Sequence, residues 1–479
     1  MSGPVVVILA AGQGTRMRSQ TPKLLHPLCG RPMIGWVVAA AKRAAASRIV
    51  VVDAPGEPLR PVLDEDVLSV VQEQALGTAD ALRAAQGHID PEACVIVLNG
   101  DVPLISPKTV AALAQTQQDT GAAATILTAR FDDPTGYGRV VRARDGTVER
   151  VVETKQPQDA SPEELEIKEI NSGVYAFAGA ALVPALARVG NGNAQGEYYL
   201  PDVLPLLRRQ GHLVTALELD DVDETLGVND RVQLAAACAI AQRRINDELM
   251  RGGATLIDPD HTVIDFGVTL APDTLIQPGC SLHGATSVGE GSVIGPHTTL
   301  TDVSVGAHAS VIHSYATGAE IGDRVSVGPF AYLRPGAVLR EGSKAGTFVE
   351  IKNSDVGARS KVPHLSYIGD ATIGEDTNLG ASTITANYDG YSKYRTTIGS
   401  HVHTGVHTSL VAPVELGDDS TAGAGSVITK DVPEGALGIA RERQRNIESY
   451  ADRVRDRHAP DGDGDQQPEA SGSGPEAQL

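Results

Sequence analysis

Residues 5–25, VVVILAAGQGTRMRSQTPKLL, pass from a β-branched run into small residues and then into spaced cations, Arg16, Arg18 and Lys23. A strand ending in Leu9, Ala10, Ala11 and Gly12 lets backbone N–H groups approach an anion closely, because little or no Cβ intervenes. Arg16 and Lys23 would add charge-assisted bonds to phosphate oxygens. Taken alone, a G-x-G after a strand is equally an ordinary turn. Three further segments carry matching chemistry. VLNGDVPL sets Asp101 at a strand end, where a hard carboxylate oxygen suits Mg²⁺ bridging to nucleotide phosphates. GVNDR offers Asn229, a neutral oxygen donor at a helix start, and LGTADA gives a second small-residue loop at Gly77-Thr78. Each also has a plain structural reading: Asp101 as a turn residue, Asn229 as an N-cap, Gly77 as the start of a helix.

A second constellation lies far downstream: Arg334 in YLRPGA, Lys352 in EIKNS, His364 and Tyr367 in HLSYIGD, then Asn378 and Lys393. Spaced cations suit a sugar phosphate. A histidine among them can serve as a general base, since imidazole ordinarily titrates near 6.5 and is mostly neutral at physiological pH.

These groups need elements to hold them. The first half alternates β-branched runs (5–9, 49–52, 95–98) with Ala-rich helical stretches (33–45, 79–85, 109–118), the pattern of βαβ units in a mostly parallel, Rossmann-like α/β sheet. Ligands then collect at strand C-termini. A helix is expected over 231–250, with Asn229 and Asp230 as candidate caps and Gly252-Gly253 as its stop. Beyond it the period changes. Ile264, Leu270, Ile276, Leu282, Val288, Ile294 and Leu300 fall six apart, and Ile398, Leu410, Leu416, Ala422 and Ile428 resume the step with Thr404 as the polar member. Six-residue rungs, each with one inward aliphatic, indicate a parallel β-helix of hexapeptide repeats, expected left-handed, with about nine triangular coils rising ~4.8 Å each. HLSYIGD and ANYDGYSKYRT read as interruptions of the coil. The expected division is therefore 1–229, a helical linker 230–250, a β-helix with a C-terminal arm 251–451, and a disordered tail 452–479 poor in aliphatics.

Composition narrows the function classes. A formal net charge of −20 argues against the basic face that nucleic acid requires, so positive charge must be local. Cys29, Cys94, Cys238 and Cys280 have neither disulfide-scaffold nor C-x-x-C spacing, which suits a reduced cytoplasmic enzyme. The N-terminal apolar run stops at Ala11, too short for a signal peptide or a membrane span. His401, His403 and His407 invite a zinc reading, but no cysteine pattern accompanies them and solvated surface is the default.

Leu9 to Met17, L-A-A-G-x-G-T-R-M, followed by Pro22-Lys23, resembles the motif of sugar-1-phosphate nucleotidyltransferases. Joined to a hexapeptide second half, the chain over about 4–448 looks like the bacterial family of bifunctional N-acetylglucosamine-1-phosphate uridyltransferases and glucosamine-1-phosphate acetyltransferases. The resemblance implies that Leu9 to Gly12, Gln72, Gly77 and Thr78 hold the uridine nucleotide, with Lys23 on its phosphates. It assigns Asn99, Gly100, Asp101, Gly138, Glu153 and Asn171 to the sugar phosphate, and Asp101 and Asn229 to Mg²⁺. For acetyl transfer it implies His364 as base and Arg334, Lys352, Tyr367 and Asn378 on the acceptor sugar. Ala381, Asn387, Tyr388 and Ala424 fall on acetyl-CoA, which Arg441 of the C-terminal arm also reaches. UTP, the two sugar phosphates and acetyl-CoA are the implied small-molecule partners, and a homotrimer the implied assembly. Two positions depart from the family pattern. Asp80 stands where relatives usually carry His, and Val406 where many carry a small hydroxyl residue. The alternative is a single-activity nucleotidyltransferase whose β-helix is structural or regulatory; the two interrupting segments argue against it.

Overall fold

Val5–Leu9 is apolar at every position because it is covered on both faces: Val6 and Ile8 enter one core layer, Val5 and Val7 the other. The structure, a computed structural model, describes residues 3–154, 160–193 and 196–459. Val5–Leu9 pairs in parallel with Arg48–Asp53 on one side and Cys94–Asn99 on the other. Leu68–Val71 extends the sheet beyond Arg48–Asp53, and Ala124–Arg130 with Val214–Leu219 close the other edge. The sheet is mostly parallel. Its exceptions are Glu169–Ala178, a long strand antiparallel to Cys94–Asn99 and Ala124–Arg130 with a bulge between Asn171 and Tyr175, and the antiparallel pair Arg139–Arg142 and Val148–Val152 attached to it. Helices form where expected, at Met33–Arg43, Thr78–Ala84 and Pro107–Thr120.

Helix Arg231–Arg251 joins the two halves. Asp230 is its N-cap, accepting from the Gln233 N–H at 2.9 Å, so Asn229 keeps its side chain for another purpose. Ala237 and Ala241 belong to the α/β core, whereas Ile245, Leu249 and Met250 lie against the first coils of the second half.

From Thr255 onward the chain winds into short parallel strands stacked in columns, a parallel β-helix. Partners mostly lie sixteen to eighteen residues apart, as in Ser304 with Glu320, Ser287 with Ser304 and Thr269 with Ser287. The six-residue aliphatics are its interior: Ile264, Ile276, Leu282, Ile294 and Leu300 are fully buried, and Leu270 is partly covered. Thr404 can replace an aliphatic because its hydroxyl is satisfied, accepting from Gly380 N at 2.8 Å and sharing a hydrogen with Thr383 at 2.9 Å. The longest column holds ten strands, one more than the nine coils expected.

The segment HLSYIGD does not interrupt the coil. His364 faces Thr347 and Tyr367 faces Glu350 at the regular seventeen-residue step, and the chain merely turns a corner at Leu365, φ 50°. ANYDGYSKYRT is a true insertion, since Ala371 next pairs with Thr396. It folds as a small loop in which Tyr388 bridges Lys393 and Asp389 caps the N–H groups of Tyr391 and Ser392.

The first coil docks on the α/β half through Phe266. Its ring meets Trp36 edge-on at 4.9 Å and lies under the Arg31 guanidinium at 4.5 Å, while its N–H donates to Cys29 O at 2.9 Å. Gly30 sits at φ 76° against Asp265, where a Cβ would stand 2.4 Å from the carboxyl carbon. At the other end, helix Tyr450–Arg457 crosses the boundary at 452 where a disordered tail was expected to begin; its sequence carries enough helix formers to turn twice without a buried face. The rest of that tail, from 460, lies outside the described residues. No helix among the described residues is long and apolar enough to cross a membrane.

Candidate functional site

A cleft of about 420 Å³ opens at the C-terminal ends of the parallel strands. Leu9, Ala10, Ala11, Gly12 and Lys23 line one wall, and Gln72, Gly77 and Thr78 another. Asn99, Asp101, Glu153 and Asn171 complete the polar lining. Gly100 and Gly138 stand just behind it. Gly100 N donates to Leu9 O at 2.9 Å, and Gly138 O accepts from Asn171 N at 2.9 Å, so both glycines hold the walls by backbone.

The cationic corner is built around Lys23. Its ammonium is 2.5 Å from Asp101 Oδ2 and 3.3 Å from Asn229 Oδ1, and Arg16 donates to the same Asn229 oxygen at 2.9 Å. Val228 N reaches Asp101 O at 2.8 Å, which pins the segment leading to Asn229 beside Asp101. One carboxylate and one amide oxygen, drawn from segments over a hundred residues apart, thus converge on a single cation. That donor set fits Mg²⁺, which takes hard oxygens and completes its shell with water and phosphate. No cluster of three His, Cys, Asp or Glu side chains able to hold a metal occurs among the described residues, His401, His403 and His407 included.

The opposite wall is the polar bulge of the strand Glu169–Ala178. Tyr175 donates its hydroxyl to Asn171 Oδ1 at 2.9 Å, and Gly173 N reaches the same oxygen at 3.1 Å. Burial pushes the Tyr175 phenol up, so it stays a donor. Asn99 Nδ2 donates to Gly173 O at 3.2 Å. Sequence reasoning missed Gly173, Tyr175, Glu197, Tyr199, Leu200 and Pro201 in this lining. NSGVYAF reads as a buried strand and GEYYLPD as a loop; the one usable signal was Gly173 within an otherwise apolar strand, the mark of a bulge.

In the β-helix, stacking does the assembling. Arg334 follows Leu333, which pairs with Ile351, and Arg334 N donates to Ile351 O at 2.8 Å, so Arg334 and Lys352 sit one coil apart in the same column. Arg334 donates to Glu350 at 2.8 Å, and Lys352 lies 3.5 Å from Asp370. Burial pushes the Asp370 carboxyl up, but hydrogen bonds from Asn353 and Asn387 and the charge of Lys352 outweigh it and hold it below the usual range. Lys393 comes from the inserted loop to lie beside Lys352, whose ammonium pulls it below the ordinary lysine value. Tyr367 bends over Gly369, where a Cβ would stand 2.4 Å from its hydroxyl. Arg334, Lys352, Tyr367 and Lys393 are therefore one cluster.

His364 is exposed at the neighbouring corner, stacked between Thr347 below and Ser382, whose N–H reaches His364 O at 3.1 Å. Asn378 bridges Lys361 and His403 in the adjoining strand positions. The same register sets Ala381, Val406 and Ala424 in successive coils, with His407 N on Ala381 O and Gly425 N on Val406 O at 2.8 and 2.9 Å. Asn387 is buried with its amide nitrogen on Asp370, Tyr388 is exposed, and Arg441 lies on the arm against Gly425.

Residues 6–201 match the family model of the MobA-like NTP transferase domain, a span that contains the whole cleft lining from Leu9 to Pro201. Curated relatives named Bifunctional protein GlmU match nearly the whole chain. The one from Mycobacterium ulcerans is 48% identical across 94% of this chain and 93% of its own length. Those from Kineococcus radiotolerans and Streptomyces coelicolor are 51% and 50% identical, covering 93% and 94% of this chain and 91% and 94% of their own lengths. The chain belongs to the GlmU family. It is a bifunctional enzyme, a uridyltransferase and an acetyltransferase, and the reading of a β-helix without chemistry of its own falls away. GlmU-family membership also accounts for two separate constellations in one chain.

Proposed function

We propose that residues 1–229 transfer uridylyl from UTP to N-acetylglucosamine-1-phosphate, that residues 251–451 acetylate glucosamine-1-phosphate from acetyl-CoA, and that 230–250 is a linker. The observation that carries the first half is the convergence of Asp101 and Asn229 on Lys23 beneath the Ala10–Gly12 backbone. A phosphate oxygen of the sugar phosphate attacks the α-phosphorus of UTP and pyrophosphate leaves. Little acid–base work is needed, so positioning and charge carry the rate. The small-residue backbone and Lys23 and Arg16 meet the phosphates. Gln72, Gly77 and Thr78 meet the nucleoside, and Asn99, Glu153 and Asn171, backed by Gly100 and Gly138, meet the sugar. Asp101 and Asn229 would hold Mg²⁺, which when bound neutralises phosphate charge.

In the second half Arg334, Lys352 and Lys393 hold the acceptor phosphate and Tyr367 and Asn378 its sugar. The free amine attacks the thioester carbonyl, His364 takes the proton, and the CoA sulfur leaves. Ala381, Asn387, Tyr388, Ala424 and Arg441 line the CoA path. His364, Tyr388, Ala424 and Arg441 are open to solvent on one chain, which supports a homotrimer with each site completed by a neighbour; light scattering that finds an active monomer would reject it. The four free thiols support a cytoplasmic setting. The deciding experiment incubates pure protein with glucosamine-1-phosphate, acetyl-CoA, UTP and Mg²⁺, each omitted in turn. UDP-N-acetylglucosamine should form only in the complete mixture, and omission of UTP alone should leave acetylated sugar phosphate.

A further inference from the structure

Gln72 follows the strand Leu68–Val71, is buried to within 5% of its surface, and lines the cleft. Its Nε2 donates to Gly77 O at 3.2 Å and to Asp80 Oδ2 at 2.9 Å. A backbone carbonyl and a carboxylate are both acceptors with no hydrogen to give. The amide end that meets them must therefore be the NH₂, whatever the near-identity in shape of its two ends. Both N–H groups are then consumed, and what Gln72 offers the cleft is Oε1, an acceptor only.

We propose that Asp80 is a positioning residue for nucleobase choice: by holding the Gln72 amide nitrogen it leaves an acceptor facing the base, which selects a pyrimidine that carries N3–H. Uracil has that hydrogen. Cytosine presents a bare N3, an acceptor against an acceptor. This rests on the reading that Gln72 meets the base of the nucleotide.

The surrounding loop explains why the carboxylate stays in place. Asp80 lies in the first turn of Thr78–Ala84, and the preceding Gly77 has φ 111° with Tyr198 O only 2.5 Å from where a Cβ would be. Ala79 N donates to Tyr198 O, and Leu200 N to Thr78 Oγ1, both at 2.9 Å. Tyr198 N also donates to Leu76 O at 2.8 Å, so the loop is zipped to the 198–200 segment on both sides of Gly77, and the second anchor of Gln72 is as fixed as the first. Gly77 O alone opposes rotation of the amide by one neutral contact. A charged partner makes rotation costlier, because Oε1 would then face an anion. An imidazole at this position could present either an N–H or a lone pair, whereas a carboxylate gives one answer only.

The test measures kcat/KM for UTP and for CTP with N-acetylglucosamine-1-phosphate and Mg²⁺, using the full-length protein and its Asp80→Asn, Asp80→Ala and Gln72→Ala variants. Asp80→Asn is isosteric and lets the Gln72 amide rotate, so the UTP-to-CTP ratio should fall about tenfold or more while UTP turnover persists. Asp80→Ala should lower the ratio less and raise KM for UTP, and it carries the test if the Asn variant does not fold. Damage to loop structure alone would slow both nucleotides together and leave the ratio. A ratio within about twofold of the parent in both Asp80 variants, with Gln72→Ala collapsing it, overturns the role of Asp80 while sparing the base reading. A parental ratio in Gln72→Ala overturns the base reading, and the proposal with it.

Discussion

The α/β cleft and the β-helix cluster gather their residues by opposite means. Lys23, Asp101 and Asn229 come from segments far apart in sequence and meet because parallel strands end on one edge. Arg334 and Lys352 are one turn of the solenoid apart and Tyr367 lies on the strand of the next turn, one turn beyond Glu350, so their meeting is a matter of repeat length. The first arrangement is concave within one chain. The second is a line of groups along the outer wall of the β-helix. A sheet edge thus makes an enclosure, whereas a solenoid makes a ruler, and a ruler needs an inserted loop such as that carrying Lys393, or a second surface, to enclose anything.

The bluntest way to break the comparison is to cut it. A fragment of residues 1–250 should retain uridylyl transfer and lose acetyl transfer entirely, read by product formation from each pair of substrates; a soluble but inert fragment would show that the cleft depends on the β-helix. Next in size, His364→Ala should lower acetyl transfer by ~10²- to 10⁴-fold and leave uridylyl transfer unchanged, measured by thiol release from acetyl-CoA. Acetylation within a few-fold of the parent would remove His364 from the proton transfer. In the other half, Asp101→Ala should cost uridylyl transfer about 10²- to 10³-fold, and chelation of divalent cations should reproduce that loss without touching acetyl transfer. Equal loss of both activities in a folded variant would contradict two independent sites. The smallest effect sharpens the picture of the ruler. Val406 stands between Ala381 and Ala424 in their column, so Val406→Ser should lower KM for acetyl-CoA a few-fold, about the worth of one hydrogen bond. An unchanged KM would take that column out of contact with the thioester end.

How much was readable in advance follows the same contrast. Repeat geometry is local, so Ile264 to Leu300 and even the satisfied Thr404 announced the solenoid from spacing alone. Corner residues deceived: HLSYIGD looked irregular because His364, Leu365 and Ser366 lack the usual Val-Gly signature, yet backbone pairing carries through them. In the α/β half the motif residues were legible because small side chains and cations are conspicuous. Tyr175 and Tyr199 were not, since a pocket-lining aromatic on a strand or loop has the same composition as a core residue, and only the bulge at Gly173 turns it toward the cleft. Asn229 illustrates a choice that sequence left open. Asp230 took the capping role, which freed its neighbour for Lys23 and Arg16.

The chain has a single tryptophan, and it is Trp36, edge-on to Phe266 with its indole N–H on Leu28 O at 2.9 Å. Nature has therefore placed the one strong intrinsic fluorophore at the seam where the solenoid meets the α/β half. Its emission needs no label and touches neither chemistry. A red shift in denaturant would time the parting of the halves, and comparison with circular dichroism would tell whether the molecule comes apart as one cooperative body or as two.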